Sequence, residues 1–193
     1  AHPRFRQWLL DEAKRMKYVY EDQIIPPEYS LYPASHEHIH AFGKAKCLVR
    51  PIKITDERAV QNLFYSLSQG DRFHRFLMQV STLHHKQAQV LVSADYRNVM
   101  GLIVEDCSGT HNRVIAAAQV APEEDEGGKR LCEFAAMVDP AWQNRGICTY
   151  LLESLMHIGR DLGFDLMCAY VWKDNLPMLK VFEKACCTMT HDL

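Results

Sequence analysis

A mixed, mostly antiparallel α/β (α+β) sheet with helices on both faces is the fold class predicted by this chain of 193 residues. Three observations carry that reading. Strand-like runs over 99–105, 114–121 and 131–138 follow one another, joined by turn-like "DCSGTHN" and acidic "PEEDEGGKR", as an antiparallel meander requires. A helical run then separates the last of them from apolar "FDLMCAYV", and such a crossover sets a parallel strand beside the meander. Hydrophobic residues make up 48% and charged residues 24%, enough for one packed core, and no apolar run is long enough to span a bilayer.

In chain order, residues 5–18 read as a short amphipathic helix with Phe5, Trp8, Leu9 and Ala13 on one side. Over 21–43 the pattern fails, and Pro26, Pro27 and Pro33 among polar residues predict an extended linker. Inside it, His36, His38 and His40 would share a face if the segment were a strand, as metal ligands could; the plainer reading is spare surface histidines, and no metal is expected. Residues 46–54 alternate and are rich in β-formers, predicting the first strand. "TDERAVQNLFYSL" follows as a helix, with Thr55 as its cap and Ala59, Leu63, Phe64 and Leu67 on one face. "GDRFHRFL" predicts a second short helix. "STLHHKQAQVLV" predicts a third, capped by Ser81 or Thr82, with His84 and His85 as a solvated pair. Beyond the meander, 149–162 is helical, 164–171 a buried strand and 176–185 helical. The acidic loop reads as a solvated hairpin connection.

Lys+Arg 22 against Asp+Glu 24 gives a formal charge of -2, so nothing calls for nucleic acid or an anionic membrane as a partner. The chain opens on polar and basic residues followed by an amphipathic stretch, which is not the pattern of a secretory leader. The 7 cysteines are odd in number, form no CxxC, and several lie in apolar runs. Buried free thiols in a reducing cytoplasm are therefore expected, rather than a disulfide framework or a zinc site.

The most informative stretch is "EFAAMVDPAWQNRGICTYLLESL", residues 133–155, in which a strand gives way to a polar loop with one glycine and then a helix. A helix start leaves several backbone N–H groups without intrahelical partners, and with the helix dipole they favour a phosphate. Gly146 lets backbone approach an anion closely, and Arg145 adds positive charge. The loop is not a dinucleotide fingerprint, since Asn144 and Cys148 stand where glycines are needed, and no GK[ST] makes it a Walker loop. An ordinary tight turn between strand and helix would look much the same.

The wider sequence adds to this. Gln143-x-x-Gly146-x-Cys148 after "MVDPAW" resembles the acetyl-CoA loop of the GNAT N-acetyltransferase superfamily, with Cys148 departing from the Gly or Ala of the last position. "LVRPIKITDE" resembles the first strand and turn of that family. "DRFHRFL", "DYRNVMGLIVED" and "NLPMLKVFEKACC" resemble its protein-lysine acetyltransferase branch. The resemblance runs from Cys47 onward and implies a GNAT fold in which the fourth and fifth predicted strands splay apart at a bulge. The pantetheine arm of acetyl-CoA would lie in the gap. It implies backbone contacts from Ala136, Met137 and Val138 to pantetheine, and contacts from Gln143, Asn144, Arg145, Gly146, Ile147 and Cys148 to the pyrophosphate, with Asn175 facing the same channel. Glu133 occupies the position of a frequent general base of the family. The tyrosine that often serves as its general acid is replaced here by Phe182, leaving Tyr170, water or an unassisted thiolate.

"AHPRFRQWLLDEAKRMKY" resembles the C-terminal end of the acetyl-CoA hydrolase/transferase family, which implies that residues 1–43 are the tail of a fused CoA-transferase module and that 44–193 form the acetyltransferase domain. Ala1 in place of Met agrees with an excised piece, and the resemblance implies sixth and seventh strands beyond "CCTMT". The function implied is acetyl transfer to protein lysines. A small-amine acceptor and a non-catalytic acetyl-CoA sensor are the alternatives.

Overall fold

The computed structural model describes residues 2–27, 30–110, 112–124 and 127–185. In chain order these give α1 (Arg6–Arg15), β1 (His38–Phe42), β2 (Ala45–Pro51), α2 (Glu57–Ser66), α3 (Gln69–Phe76), α4 (His85–Val92), β3 (Met100–Asp106), β4 (Arg113–Pro122), β5 (Leu131–Val138), α5 (Ile147–Asp161), β6 (Leu166–Cys168) and α6 (Leu176–Lys184). One sheet holds all six strands in the order β1-β2-β3-β4-β5-β6. Every neighbouring pair is antiparallel except β5 and β6, which are parallel.

The meander and its crossover are as expected, and β5 matches its predicted bounds. Several other elements differ. The stretch read as a linker contains β1, which zips onto β2 through the two-residue loop Gly43-Lys44, with Gly43 at φ 64. His38 and His40 lie on β1; the His38 ring meets the Tyr150 hydroxyl of α5 at 2.5 Å, and the His40 ring lies 4.0 Å from that of Tyr150. α2 starts at Glu57 after a short turn, and its cap residue is Asp56 rather than Thr55. α4 is capped by His84, whose N–H donates to Gln87 Oε1, not by Ser81 or Thr82. His85 is no solvated partner of His84. Its ring sits between Glu57 and Asp22 and stacks on Tyr20. The predicted buried strand over 164–171 pairs only at Leu166–Cys168 and is half-buried, because it is the edge of the sheet.

Each face of the sheet carries its own core. α5 presents Ile147, Leu151, Leu152 and Leu155 as one stripe, all fully buried against Val49, Leu102, Val104, Ala118 and Phe134. Burial of each such side chain contributes roughly 1.5–3 kcal/mol. On the other face Val60, Leu63 and Leu67 of the α2 region meet Ile52, Ile103, Val114 and Met137. Strand alternation therefore assigns Phe134 to the α5 side and Glu133, Ala135 and Met137 to the α2–α3 side.

The N-terminal segment is fastened by polar contacts. Buried Gln89 of α4 accepts from the Ile24 N–H at 2.8 Å and donates to the Asp22 carbonyl at 3.1 Å. The Arg6 guanidinium donates to the carbonyls of Pro27 and Ser30. No helix among the described residues is long and apolar enough to cross a membrane.

Candidate functional site

β5 and β6 pair only at Leu131–Leu166, Cys132–Met167 and Glu133–Cys168. Beyond Glu133, β5 continues to Val138 with no strand on its β6 side among the described residues, while its ladder with β4 stays in unbroken register. The splay is thus present, but it arises where β6 stops and not at a bulge in β5. The one register shift in the meander lies between Val104 and Glu105, away from the gap. Between the parted strands opens a cleft of about 610 Å³, walled by β5, the start of α5, α3 and α6.

The loop after β5 is rigidly built. Buried Asp139 accepts from the Ala141 N–H at 2.9 Å and pairs with Arg113. Asn144 (φ 60) and Gly146 (φ 80) both take left-handed backbone, turning the chain sharply into α5. A Cβ built on Gly146 would meet no atom within 4 Å, so open space lies before the helix start. There the first-turn N–H groups of a 15-residue helix are directed, with its positive dipole end. Gly146, Ile147, Cys148, Gln143 and Asn144 line the cleft. Arg145 does not: its guanidinium folds back over the Trp142 ring at 4.5 Å and donates to the Ala141 carbonyl. Gln143 Nε2 donates to Asp71 Oδ1 of α3 and to the Val138 carbonyl, each at 3.3 Å, which ties the loop to the opposite wall. Burial pushes the Cys148 thiol up to about 12, and its sulfur lies 3.8 Å from that of Met178.

Glu133, Ala136, Met137 and Val138 also line the cleft, so the candidate residues of the strand and of the loop, Arg145 apart, are brought together. Asn175 lines it too while capping α6 through its side-chain oxygen, which accepts from the Met178 N–H. Phe182 is half-buried, packed edge-on to Phe134 at 6.2 Å. Tyr170 is 56% exposed on the cleft wall. The charge of Glu123 first, then Cys168, raises its pKa, so its phenol keeps its proton.

Two features were missed by reasoning from sequence. Asp71 and Arg75, four residues apart on α3, share the helix face that looks onto β5, a spacing that could have been noticed. The Phe73 ring stacks on Trp172 at 5.3 Å and His74 faces Asp174 at 3.6 Å, joining α3 to the segment after β6 across the cleft.

An open strand edge leading to a helix start in one cleft can hold an extended chain that ends in phosphates. Residues 64–186 match the family model described as "Acetyltransferase (GNAT) family". The chain belongs to the acetyltransferase (GNAT) family. Acetyl-CoA is the acyl donor of GNAT enzymes, and both halves of the cleft suit it: an edge for the pantetheine amides and a helix start for the pyrophosphate. The GNAT domain of S. lividans PAT is similar at 25% identity, over 83% of this chain and 93% of that one, with a TM-score of 0.73. AAC(6')-Iy, solved with the bisubstrate analog CoA-S-monomethyl-acetylneamine, shares the GNAT fold at 15% identity and a TM-score of 0.56, over 76% of this chain and 94% of that one. The Bacillus subtilis (strain 168) protein "Putative phosphinothricin acetyltransferase YwnH" is 33% identical over 55 residues, 28% of this chain. The match takes in about a third, 34%, of that protein's length.

Proposed function

We propose that this chain is an acetyl-CoA-dependent N-acetyltransferase that passes the acetyl group directly to lysine side chains of proteins. The observation that carries the reading is the β5 edge from Phe134 to Val138, unpaired among the described residues, running straight into the α5 start within one cleft. Backbone groups of Ala136, Met137 and Val138 would hold pantetheine, with the Val138 carbonyl shared with Gln143. Gln143, Asn144, Gly146, Ile147 and Cys148 would surround the pyrophosphate. Arg145, turned onto Trp142, would add only longer-range charge, and Asn175 would face the channel from α6.

Transfer joins the amine nitrogen to the thioester carbon as the carbon–sulfur bond breaks. Glu133 stands at the end of the paired part of β5, half-buried, and its carboxylate would take the amine proton directly or through water. Phe182 has no proton to give; Tyr170, kept protonated, or water would supply one to the departing sulfur.

A lysine acceptor is supported by the apolar lining residues Leu67 and Leu77 on the α2–α3 side and Val171 on the β6 side, which suit a stem of four methylenes. The likeness to the GNAT domain of S. lividans PAT supports the same reading. A polyamine acceptor would call for an acidic pocket, whereas Glu133 here faces the cation of Arg75. The stretch ahead of β1 fits the tail of a fused CoA-transferase module, whereas β1, with Phe42 in the core, belongs to the catalytic domain, so the boundary falls before His38 and not at residue 43; Phe5 and Trp8 are 58% and 64% exposed, open to such a neighbour. The free thiols suit a cytoplasmic setting.

Mass spectrometry of candidate proteins incubated with the chain and acetyl-CoA tests the proposal. Enzyme-dependent lysine acetylation is expected. Rapid turnover of a free amine with no protein acetylation would replace it with the small-amine reading.

A further inference from the structure

We propose that Arg75 is a charge-balancing residue that keeps the acceptor lysine neutral by offsetting Glu133 without binding to it. The inference rests on the acetyltransferase reading above and assigns a device to the acceptor half of that cleft.

Arg75 lies on α3 and lines the cleft with Glu133, Ala135 and Met137, which share one face of β5. Its Nε is fully enclosed and has no hydrogen-bond partner among the described residues. The guanidinium rests over the Phe76 ring at 5.1 Å. Burial lowers its pKa and the charge of Glu133 works the other way, so the two groups feel each other, yet they form no ion pair in contact. The other polar groups on α3 already have partners: Asp71 accepts from the Ser68 hydroxyl and Gln143, the Arg72 guanidinium donates to the carbonyls of Phe64, Tyr65 and Ser81, and the His74 ring lies beside Asp174. Cys168 and Tyr170 face Glu133 from the β6 side, and Lys180 and Lys184 line the α6 wall. Of the two arginines of α3, Arg75 is the one that lines the cleft with Glu133.

A lone carboxylate in a water-poor cleft attracts an ammonium group and holds its proton, which is the wrong state for a nucleophile. A cation beside the carboxylate removes that attraction. A direct salt bridge would occupy the carboxylate oxygens; a guanidinium held apart by packing cancels the charge and leaves those oxygens open to the amine proton. Arg75 acts through the field at the site, and its expected signature is discrimination between charged and neutral ligands.

The experiment uses calorimetry on the protein saturated with CoA, where no turnover occurs. Two peptides are compared, one carrying lysine, charged at neutral pH, and one carrying norleucine, its neutral analogue. Arg75→Gln should shift the ratio of the two affinities toward the lysine peptide by about tenfold, the equivalent of one pKa unit. Arg75→Lys, which restores the charge, should return the parental ratio, and CoA affinity should be the same in all three proteins. An unchanged ratio in a folded Arg75→Gln protein overturns the inference and leaves the lysine reading standing. Binding of neither peptide, with CoA bound normally, overturns both.

Discussion

Arg50 and Asp56 stand six residues apart, yet the guanidinium of one meets the carboxylate of the other through two hydrogen bonds of 2.8 Å each. The same guanidinium donates to Glu105 Oε1 from Nε at 2.9 Å and from Nη2 at 2.5 Å, and Asn112 donates to the other Glu105 oxygen. Asp56 also accepts from the Lys53 N–H at 2.7 Å, which sets the turn between β2 and α2. Burial works against the Arg50 charge, but Asp56 and Glu105 more than offset it and raise its pKa. Removing Arg50 leaves two buried carboxylates without their cation, and removing Asp56 leaves Arg50 half-matched, with Glu105 as its remaining carboxylate. Arg50→Met or Asp56→Ala should therefore lower stability by about 3–5 kcal/mol, and the double variant by less than the sum of the two. Chemical denaturation of the three proteins measures this.

Gly146 tests the phosphate end of the cleft. Its φ of 80 lies in the left-handed region, and a Cβ there would meet no protein atom. Gly146→Ala should cost ~1–2 kcal/mol of stability through backbone strain alone. Gly146→Glu should in addition abolish acetyl-CoA binding, since it sets bulk and negative charge before the helix start. Titration calorimetry on the folded variant decides: unchanged affinity would remove this loop from the proposed site.

Glu133→Gln keeps the shape of the side chain and removes the base. The expected outcome is a fall of ~10²–10⁴-fold in kcat/KM, with acetyl-CoA affinity little changed because the proposed pantetheine contacts are backbone. A near-parental rate with an unaltered pH profile would take Glu133 out of the mechanism. Phe182→Tyr adds a hydroxyl beside Phe134 and should leave the rate equal or higher.

Cys148 gives a pH dependence with a definite sign. Its thiol is raised from 9.0 to about 12 in the folded chain by burial. Below 9.0 the thiol is protonated folded and unfolded, and its contribution to stability is complete. As pH climbs from 9.0 toward 12, only the unfolded chain releases the proton, and that contribution is lost, at up to ~1.4 kcal/mol per pH unit. Denaturation midpoints across this window should fall less steeply in Cys148→Ala than in the parent.

The repeating patterns made the sheet legible from sequence. The alternation of 131–138 gave β5 its bounds, and the helical spacing of 149–162 marked α5, which begins two residues earlier at Ile147. β1 was hidden because His38–Phe42 lies at the sheet edge with little buried surface, so the alternation is weak: two histidines share the face of Phe42, and Ile39 is exposed on the other. The cleft was legible where backbone makes it, at the strand edge and the Gly146 turn. Arg75 and Asp71 were not, since only packing of α3 against β5 gives their charges a meaning. Arg145 misled for the converse reason: its charge suggested the cleft, while Trp142, three residues before it, offered the ring that holds it.

The shortness of the β5–β6 ladder has a consequence for motion. Among the described residues three pairs attach β6 to the sheet, whereas β3 and β4 are joined over seven. Amide protons of β6 should therefore exchange through frequent local opening, while those of β3 and β4 wait for the whole domain to unfold. The wall of the cleft that carries Tyr170 and Trp172 hangs from this weakly fastened edge, tied back to α3 by the Phe73–Trp172 stack. The channel can thus widen on that side by a sub-global fluctuation, while the β4–β5 side stays as firm as the core.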